Sequence, residues 1–218
     1  MKNLLYKELK LFLGPLNFIF LAFPLMVFIP GGYPLLVSSF FIMMGVFISF
    51  QIAREHHDTL YTVLLPICKG DSVKARYISI TFIQIIAFVL YAIFITIRLL
   101  ILSNIEAYKV ANLMPGNITL LGFVLMSFAM FNVIFIPEFY KTAYYYAKPF
   151  ILFIIADFVL VIIEEALGFV PGLEALKAQQ GSGLIIQLIV LLIGLVVYVL
   201  STYFGYKISR NRFEKLDI

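Results

Sequence analysis

The chain has few charged residues and a single cysteine. Charged side chains make up 13% of its 218 residues and hydrophobic ones 63%. Because a soluble domain is typically about a quarter charged, this composition excludes an ordinary water-soluble fold. Cys68 alone excludes an internal disulfide and a cysteine-based zinc cluster. The net positive charge is typical of a surface beside anionic lipid, so we expect membrane lipid, not nucleic acid, as a partner.

The common motifs of nucleotide and covalent chemistry are also absent. The sequence contains no GxxxxGK[ST] phosphate loop and no GxSxG nucleophile turn. His56 and His57 lie beside Glu55 and Asp58, but adjacent histidines on a helix point about 100° apart and the HExxH spacing is missing. We therefore expect no catalytic residue, no metal site and no cofactor in this chain.

Long apolar runs are what the sequence has instead. A helix needs about 20 apolar residues to cross the hydrocarbon core of a bilayer. The runs predict an all-α membrane protein, one transmembrane domain over residues 1–218 with six membrane-spanning helices. Their expected bounds are about 15–29, 35–53, 78–102, 118–136, 144–167 and 184–206.

The distribution of Lys and Arg predicts the orientation. Cytoplasmic segments carry an excess of these residues. With the N-terminus inside, 13 of the 16 are cytoplasmic, so we expect both termini in the cytoplasm of a plasma-membrane protein. The cytoplasmic set would be Lys2, Lys7, Lys10, Arg54, Lys69, Lys74, Arg76, Lys141, Lys148, Lys207, Arg210, Arg212 and Lys215.

Two shorter segments flank the predicted spans. The N-terminal MKNLLYKELKLFL has helical spacing, with Lys7, Glu8 and Lys10 largely opposite its apolar residues. This pattern is typical of a helix lying in the membrane interface. On the exterior side, GLEALKA precedes the sixth span and is too short and polar to cross. It is either a surface helix or part of a re-entrant hairpin.

Four charged residues lie within the predicted spans and away from their cytoplasmic ends. Burying a charge in lipid costs several kcal/mol, so each must pair, be neutral or face the protein interior. Asp157 lies near the middle of the fifth span. Arg98 and the pair Glu164 and Glu165 lie at matching depths near the outer ends of the third and fifth spans, which predicts an ion pair between them. The interpretations that remain open are a structural clasp between helices and a proton pathway.

A polar segment between the second and third spans is the most informative feature. It contains a short Leu-rich helix ending at a proline, a basic turn, and then the start of the third span. This order resembles the permeases of ABC-2-type exporters, and Pro137 to Lys141 resembles that family's cytoplasmic turn. The residues that match are Asp58, Leu64, Leu65, Pro66, Ile67, Lys69, Val73, Lys74, Arg76 and Tyr77.

The resemblance implies a coupling helix that docks on a separate ABC ATPase, which would bind ATP and Mg²⁺. The coupling residues would be Asp58, Leu60, Leu64, Leu65, Pro66, Ile67 and Lys69. It also implies a second permease, identical or related, and outward movement of an amphipathic substrate such as a peptide or antibiotic. Two rival interpretations remain: a proton- or ion-coupled secondary transporter that uses Asp157, and a membrane immunity or scaffold protein that does not transport.

Overall fold

The computed structural model describes residues 2–30, 33–102, 105, 108, 113–178 and 183–216. Within these ranges the chain folds into helices and contains no strand, which confirms the all-α class. Residues 179–182 of the predicted exterior hairpin lie outside the described ranges.

The N-terminal part consists of short helices that meet at a sharp bend. Helix α1 (Lys2–Lys7) continues through a π-helical turn, Glu8–Phe12. Helix α2 (Pro15–Phe20) begins with a proline, which suits the first helical position because that residue has no N–H to satisfy. A 3-10 turn, Phe23–Phe28, follows. Residues 3–12 and 15–28 are bent by 70° relative to each other, and residues 15–28 change from α-helix to 3-10 helix where one continuous span was predicted.

The next three helices contain the polar segment. They are α3 (Val37–Glu55), α4 (Asp58–Leu64) and α5 (Lys69–Ile97), the last extended by a π-helical turn, Arg98–Leu102. Helix α5 therefore begins at Lys69, well before the predicted start of the third span at residue 78. The loss of hydrophobicity below residue 78 marks the expected edge of the membrane, whereas the helix itself continues through polar residues.

The described part of the second half of the chain contains four more helices. They are α6 (Ile118–Met130), joined by a π-helical turn to α7 (Ile136–Phe139), then α8 (Ala147–Leu167) and α9 (Leu184–Glu214). On the predicted exterior side, a 3-10 turn at Glu174–Lys177 lies within the GLEALKA segment.

Four of these helices are long and apolar enough to cross a membrane. They are α3, α5 with its π turn, α6 through α7, and α9, and the bent N-terminal pair would make a fifth. Helix α8 has 21 residues and is long enough to cross a membrane. It carries four charged residues, Lys148, Asp157, Glu164 and Glu165, so its composition alone does not identify it as a span. The described residues thus support four or five spans, and the six-span layout stays a prediction.

Close backbone contact joins α6 to α9. A Cβ atom on Gly194 would lie 2.4 Å from the carbonyl oxygen of Gly122, and one on Gly205 would lie 2.3 Å from that of Asn132. Small residues allow helices to pack this tightly in membranes. On the other side of α6, phenylalanine rings fill the interior, with Phe47 stacked on Phe150 at 3.6 Å between ring centroids.

Candidate functional site

A cluster of ion pairs joins α1, α4 and α5 at the predicted cytoplasmic end of the bundle. The Arg76 guanidinium on α5 binds both oxygens of Glu8, with Nη2 3.2 Å from Oε1 and Nε bonded to Oε2. The same Nη2 donates to Asp58 Oδ2 on α4 at 2.7 Å. Lys7 completes the cluster, with Nζ 2.6 Å from Asp58 Oδ1. We call these four residues the ion-pair cluster.

The centre of the ion-pair cluster is buried. Glu8 is 0% exposed and Arg76 4%. The guanidinium also stacks over the Phe12 ring, 3.9 Å from its centroid, which adds a cation–π attraction. Breaking a buried pair by removing one partner leaves an uncompensated charge and costs roughly 3–5 kcal/mol. The three helix segments are therefore bound to one another more firmly than surface charges would achieve.

The pKa of Asp58 shows the same electrostatic balance. Burial alone would raise it, but the charges of Arg76 and Lys7 and their hydrogen bonds outweigh burial and lower the pKa from its usual 3.8. A carboxylate with a lowered folded-state pKa stabilises the fold at pH values above its unfolded value. That contribution is lost only as the pH falls further, through the folded-state pKa, so the cluster is fully formed at neutral pH.

Leu60 and Leu64 lie on the side of α4 opposite Asp58, and Tyr61 and Leu65 extend this exposed apolar surface next to it. Leu60 is 45% exposed, Tyr61 64%, Leu64 74% and Leu65 49%. We call these four residues the apolar ridge. Contiguous apolar surface on a water-facing segment is typical of a binding site for another protein. Helix α4 is therefore bound to its neighbours through the ion pairs of Asp58, and it exposes apolar side chains on its outer surface.

The remaining predicted coupling residues take different positions. Pro66 is exposed in the bend after α4, and Ile67 is half-buried. Lys69 opens α5 and its Nζ donates to the carbonyl oxygen of Leu216, so it faces the C-terminal end of α9. Among the predicted interfacial residues, Lys10 is exposed and lies over the Tyr6 ring.

The left-handed backbone of His57 and a contact between Arg54 and a tyrosine ring fix the start of α4. His57 has φ 52° and ψ 28°, a left-handed conformation that non-glycine residues rarely adopt. This turn reverses the chain directly after α3. Arg54, at the end of α3, lies over the ring of Tyr146 with 4.6 Å between guanidinium carbon and centroid. The start of α4 is thus set by the His57 turn and by the contact that holds the end of α3.

The proline-led turn after α6 forms a second charged cluster. Arg212 on α9 donates to the Pro137 carbonyl oxygen at 2.7 Å and to Glu138 Oε2 at 3.1 Å. Lys141 and Lys148 also lie within 4.0 Å of the Glu138 carboxylate. This turn therefore ties the end of α9 to α7 and the start of α8.

The intramembrane charges do not pair as predicted. Within the described residues, Arg98 makes no ion pair with Glu164 or Glu165, and donates instead to the Val27 carbonyl oxygen. Glu165 accepts from the Met114 N–H at 2.9 Å. The carboxylate of Glu164 is buried without a hydrogen-bond partner among the described residues. The 3-10 helix Phe23–Phe28 explains the difference, because the Val27 carbonyl group in its last turn offers Arg98 an acceptor.

Asp157 lies in the interior and contacts α6. Its Oδ1 accepts from Ser127 Oγ at 2.6 Å, and Ser127 also receives a hydrogen bond from Ser39 at 3.0 Å. Farther along the bundle, Gln84 and Asn132 exchange hydrogen bonds of 2.9 and 3.0 Å. These side chains join α3, α5, α6 and α8, as expected of polar residues between membrane helices.

Sequence reasoning placed Glu8 on the polar face of α1 and missed its partner. Leu4, Glu8 and Phe12 are spaced four residues apart and are 8%, 0% and 5% exposed, so they form one buried face. That spacing was a usable signal, because a charge aligned with two apolar residues needs a buried counter-ion. The identity of the counter-ion, Arg76, depends on a contact across 68 positions of the chain, which no local pattern reveals.

We predict a strong, non-additive effect of removing the central arginine. Arg76→Met leaves the buried Glu8 carboxylate with only the longer contact to Lys7 Nζ at 3.5 Å, so the variant should lose up to roughly 3–5 kcal/mol of stability. The double variant Glu8→Gln, Arg76→Met should recover a large part of that loss, because no lone charge remains. Thermal unfolding of the four proteins of this cycle in detergent measures the coupling between the two residues.

The control for this cycle is Arg212→Met. The Arg212 side chain is 37% exposed where it meets Glu138, and pairs of this kind are worth about 0–1 kcal/mol. Equal losses in Arg76→Met and Arg212→Met, or strictly additive losses in the cycle, would contradict the importance of the ion-pair cluster.

The chain was also compared with known proteins. The family model of the ABC-2 family transporter proteins matches residues 3–210. Neither a curated protein nor a solved structure matches the chain. The family match covers nearly the whole chain and confirms the resemblance inferred from the polar segment. Membrane subunits of this kind are not themselves catalytic and associate with ABC ATPases. The chain therefore belongs to the ABC-2 family of transporter proteins, as a multi-pass membrane subunit of the plasma membrane.

Proposed function

We propose that this chain is the permease subunit of an ATP-driven exporter, with six spans and both termini in the cytoplasm. Counting α8 as a span is supported by the burial of its charges: Asp157 is 0% exposed and Glu164 1%. The exposed side of α8 consists of large apolar residues, Ile155 and Ile162 among them. A helix with its carboxylates inside and its apolar residues outside suits a lipid environment.

The apolar ridge on α4 is the proposed contact with the ATPase. The observation that supports this assignment best is the two-sided character of α4. Its outer side is exposed carbon, and its inner side is bound through Asp58 to the buried Arg76. The ridge would fill a groove on the ATPase, which binds ATP and Mg²⁺. The partner's closure on ATP would press on α4, and the ion-pair cluster would transfer that movement to α1 and α5.

The complete exporter would contain two ATPase subunits and a second permease, either another copy of this chain or a relative. Its substrate would be an amphipathic molecule, with a peptide or an antibiotic as the leading class, moved outward. Family membership supports the association with an ATPase. The export direction and substrate class are proposed from the family resemblance.

A second candidate function is supported by Asp157. This carboxylate is buried near the middle of α8, and its Oδ2 has no hydrogen-bond partner among the described residues. A secondary transporter driven by protons could use such a group as its proton acceptor. In that case transport would need Asp157 and would not need the apolar ridge.

We predict that Leu65→Asp uncouples the exporter. A charge in the apolar ridge must be desolvated when the ATPase docks, so ATP-dependent transport should fall by roughly tenfold or more. Membrane insertion should be unaffected, because Leu65 is exposed and outside the core. The measurement is ATPase activity and transport by the co-purified complex in proteoliposomes.

The matched control is Asn211→Asp, which adds the same charge at an exposed position near the end of α9. It should leave coupling unchanged. If Leu65→Asp behaves like this control, with the ATPase bound and fully coupled, the ridge is not the contact with the ATPase.

We predict that Asp157→Asn retains most of the transport activity. The amide oxygen of the new side chain can still accept the hydrogen bond from Ser127 Oγ, so the contact between α6 and α8 is kept while the titratable proton is removed. Initial transport rates with ATP should stay within about threefold of the original, since a single neutral hydrogen bond contributes only about 1 kcal/mol. Loss of transport in a correctly inserted variant would favour the proton-driven alternative.

A further inference from the structure

A lateral groove between α5 and α9 is not used by the proposed coupling mechanism. It has a volume of about 550 Å³. From α5 it is lined by one face of the helix, from Lys74 through Ile78 to Ile85. From α9 it is lined by Tyr198 to Tyr206. The groove opens sideways, where the surrounding surface of both helices is apolar.

The walls of the groove present mainly carbon. The hydroxyl of Tyr77 donates to the Asn132 carbonyl oxygen at 2.9 Å and lies 3.0 Å from Ser209 Oγ. The hydroxyl of Tyr198 donates to Gln84 Oε1 at 2.8 Å. Thr202 Oγ1 likewise accepts from Asn132 Nδ2 at 2.9 Å, so these polar atoms are already bonded within the protein and carbon dominates the surface offered to a ligand. A hydrocarbon chain is the occupant that this surface fits.

The groove runs from the head-group level into one leaflet of a bilayer. Lys74 lies outside the predicted membrane edge at Ile78, and Ile85 lies seven residues inside it, which corresponds to about 10 Å along a helix. Half of the hydrocarbon core of a membrane is about 15 Å thick. A phosphate beside Lys74 would therefore place about the first two-thirds of an acyl chain in the groove.

The polar mouth of the groove is basic. Lys74 is exposed and forms no ion pair with the described residues. On α9, Lys207 is exposed, and Arg210 leans towards α5, so that a Cβ atom on Gly70 would lie 2.7 Å from its Nε. Glu214 balances Arg210 at 2.8 Å, and Asp71 is exposed one turn before Lys74, so the two lysines leave a net positive charge at the mouth. Basic side chains at this level attract anionic lipid head groups.

We infer that the groove between α5 and α9 binds an anionic phospholipid, with one acyl chain along α5 and its phosphate beside Lys74. Tyr203 and Tyr206 flank the head-group end, where tyrosines commonly lie in membrane proteins. A cationic amphiphile would be repelled at the same mouth. The site requires no ATPase, so it can be tested separately from the proposed coupling.

The experiment uses the absence of tryptophan from the chain. Phe82→Trp places a single fluorophore in the groove, and Phe158→Trp places one on the surface of α8. The two phenylalanines are matched, with exposures of 45% and 44%. Each full-length variant is reconstituted in vesicles of phosphatidylcholine and phosphatidylglycerol, with bromine on the acyl chains of one lipid at a time. The quenching gives the relative affinity of each position for the anionic lipid.

We expect phosphatidylglycerol to be favoured at the Phe82→Trp position by roughly three- to tenfold. This is the size of the attraction between one lysine and an anionic membrane surface. Lys74→Gln in that background should reduce the preference, and Lys74→Gln together with Lys207→Gln should bring it near one. Lys148→Gln is the charge control, since this lysine is 75% exposed at the same end of the bundle, and it should leave the preference intact. At the Phe158→Trp position we expect no preference.

Three results would overturn the inference. They are an equal preference at the two tryptophan positions, no effect of Lys74→Gln, and a groove position that neither lipid quenches while the α8 position is quenched. The last result would mean that protein, such as a second copy of the chain, covers the groove. Tyr203→Trp, on the opposite wall, gives the same readout if Phe82→Trp does not fold.

Discussion

The buried ion pair between Arg76 and Glu8 is the interaction on which the cytoplasmic end of this protein depends. Neither group is tolerable alone in an apolar interior, so each fixes the position of the other. Because Arg76 also binds Asp58, the pair determines where α4 lies. The apolar ridge faces outward as a consequence, and the N-terminal segment becomes part of the same unit instead of a loosely attached interfacial helix.

A second constraint acts within the bundle and has a different chemistry. Glycines bring the backbones of α6 and α9 into contact. The side-chain amides of Gln84 and Asn132 exchange hydrogen bonds. The Glu138 cluster ties α9 to α7 at their predicted cytoplasmic end. Two groups of closely bound helices result, one made of α1, α4 and the start of α5, and one made of α6, α7 and α9. The lateral groove lies where α5 meets the second group.

The sequence was sufficient for the features that depend on composition and local order. Hydropathy predicted the all-α class and most helix positions, and the run from Asp58 to Tyr77 pointed to the family. Prediction from the sequence failed where a contact depends on residues that are distant in the chain. The pairing of Arg98 was predicted from matching depth alone, and the free carbonyl group of Val27 could not be foreseen. Glu8 was assigned to the polar face for the same reason, since its counter-ion lies in another helix.

The central claim is that α1, α4 and the start of α5 move as one unit when an ATPase closes. The most direct measurement is the distance between spin labels in the assembled complex, with and without nucleotide. The exposed native Cys68 is one label site, and Tyr6→Cys or Lys148→Cys provides the other. The Tyr6–Cys68 distance should stay constant across nucleotide states while the Lys148–Cys68 distance changes. A changing Tyr6–Cys68 distance beside a constant Lys148–Cys68 distance would contradict the claim.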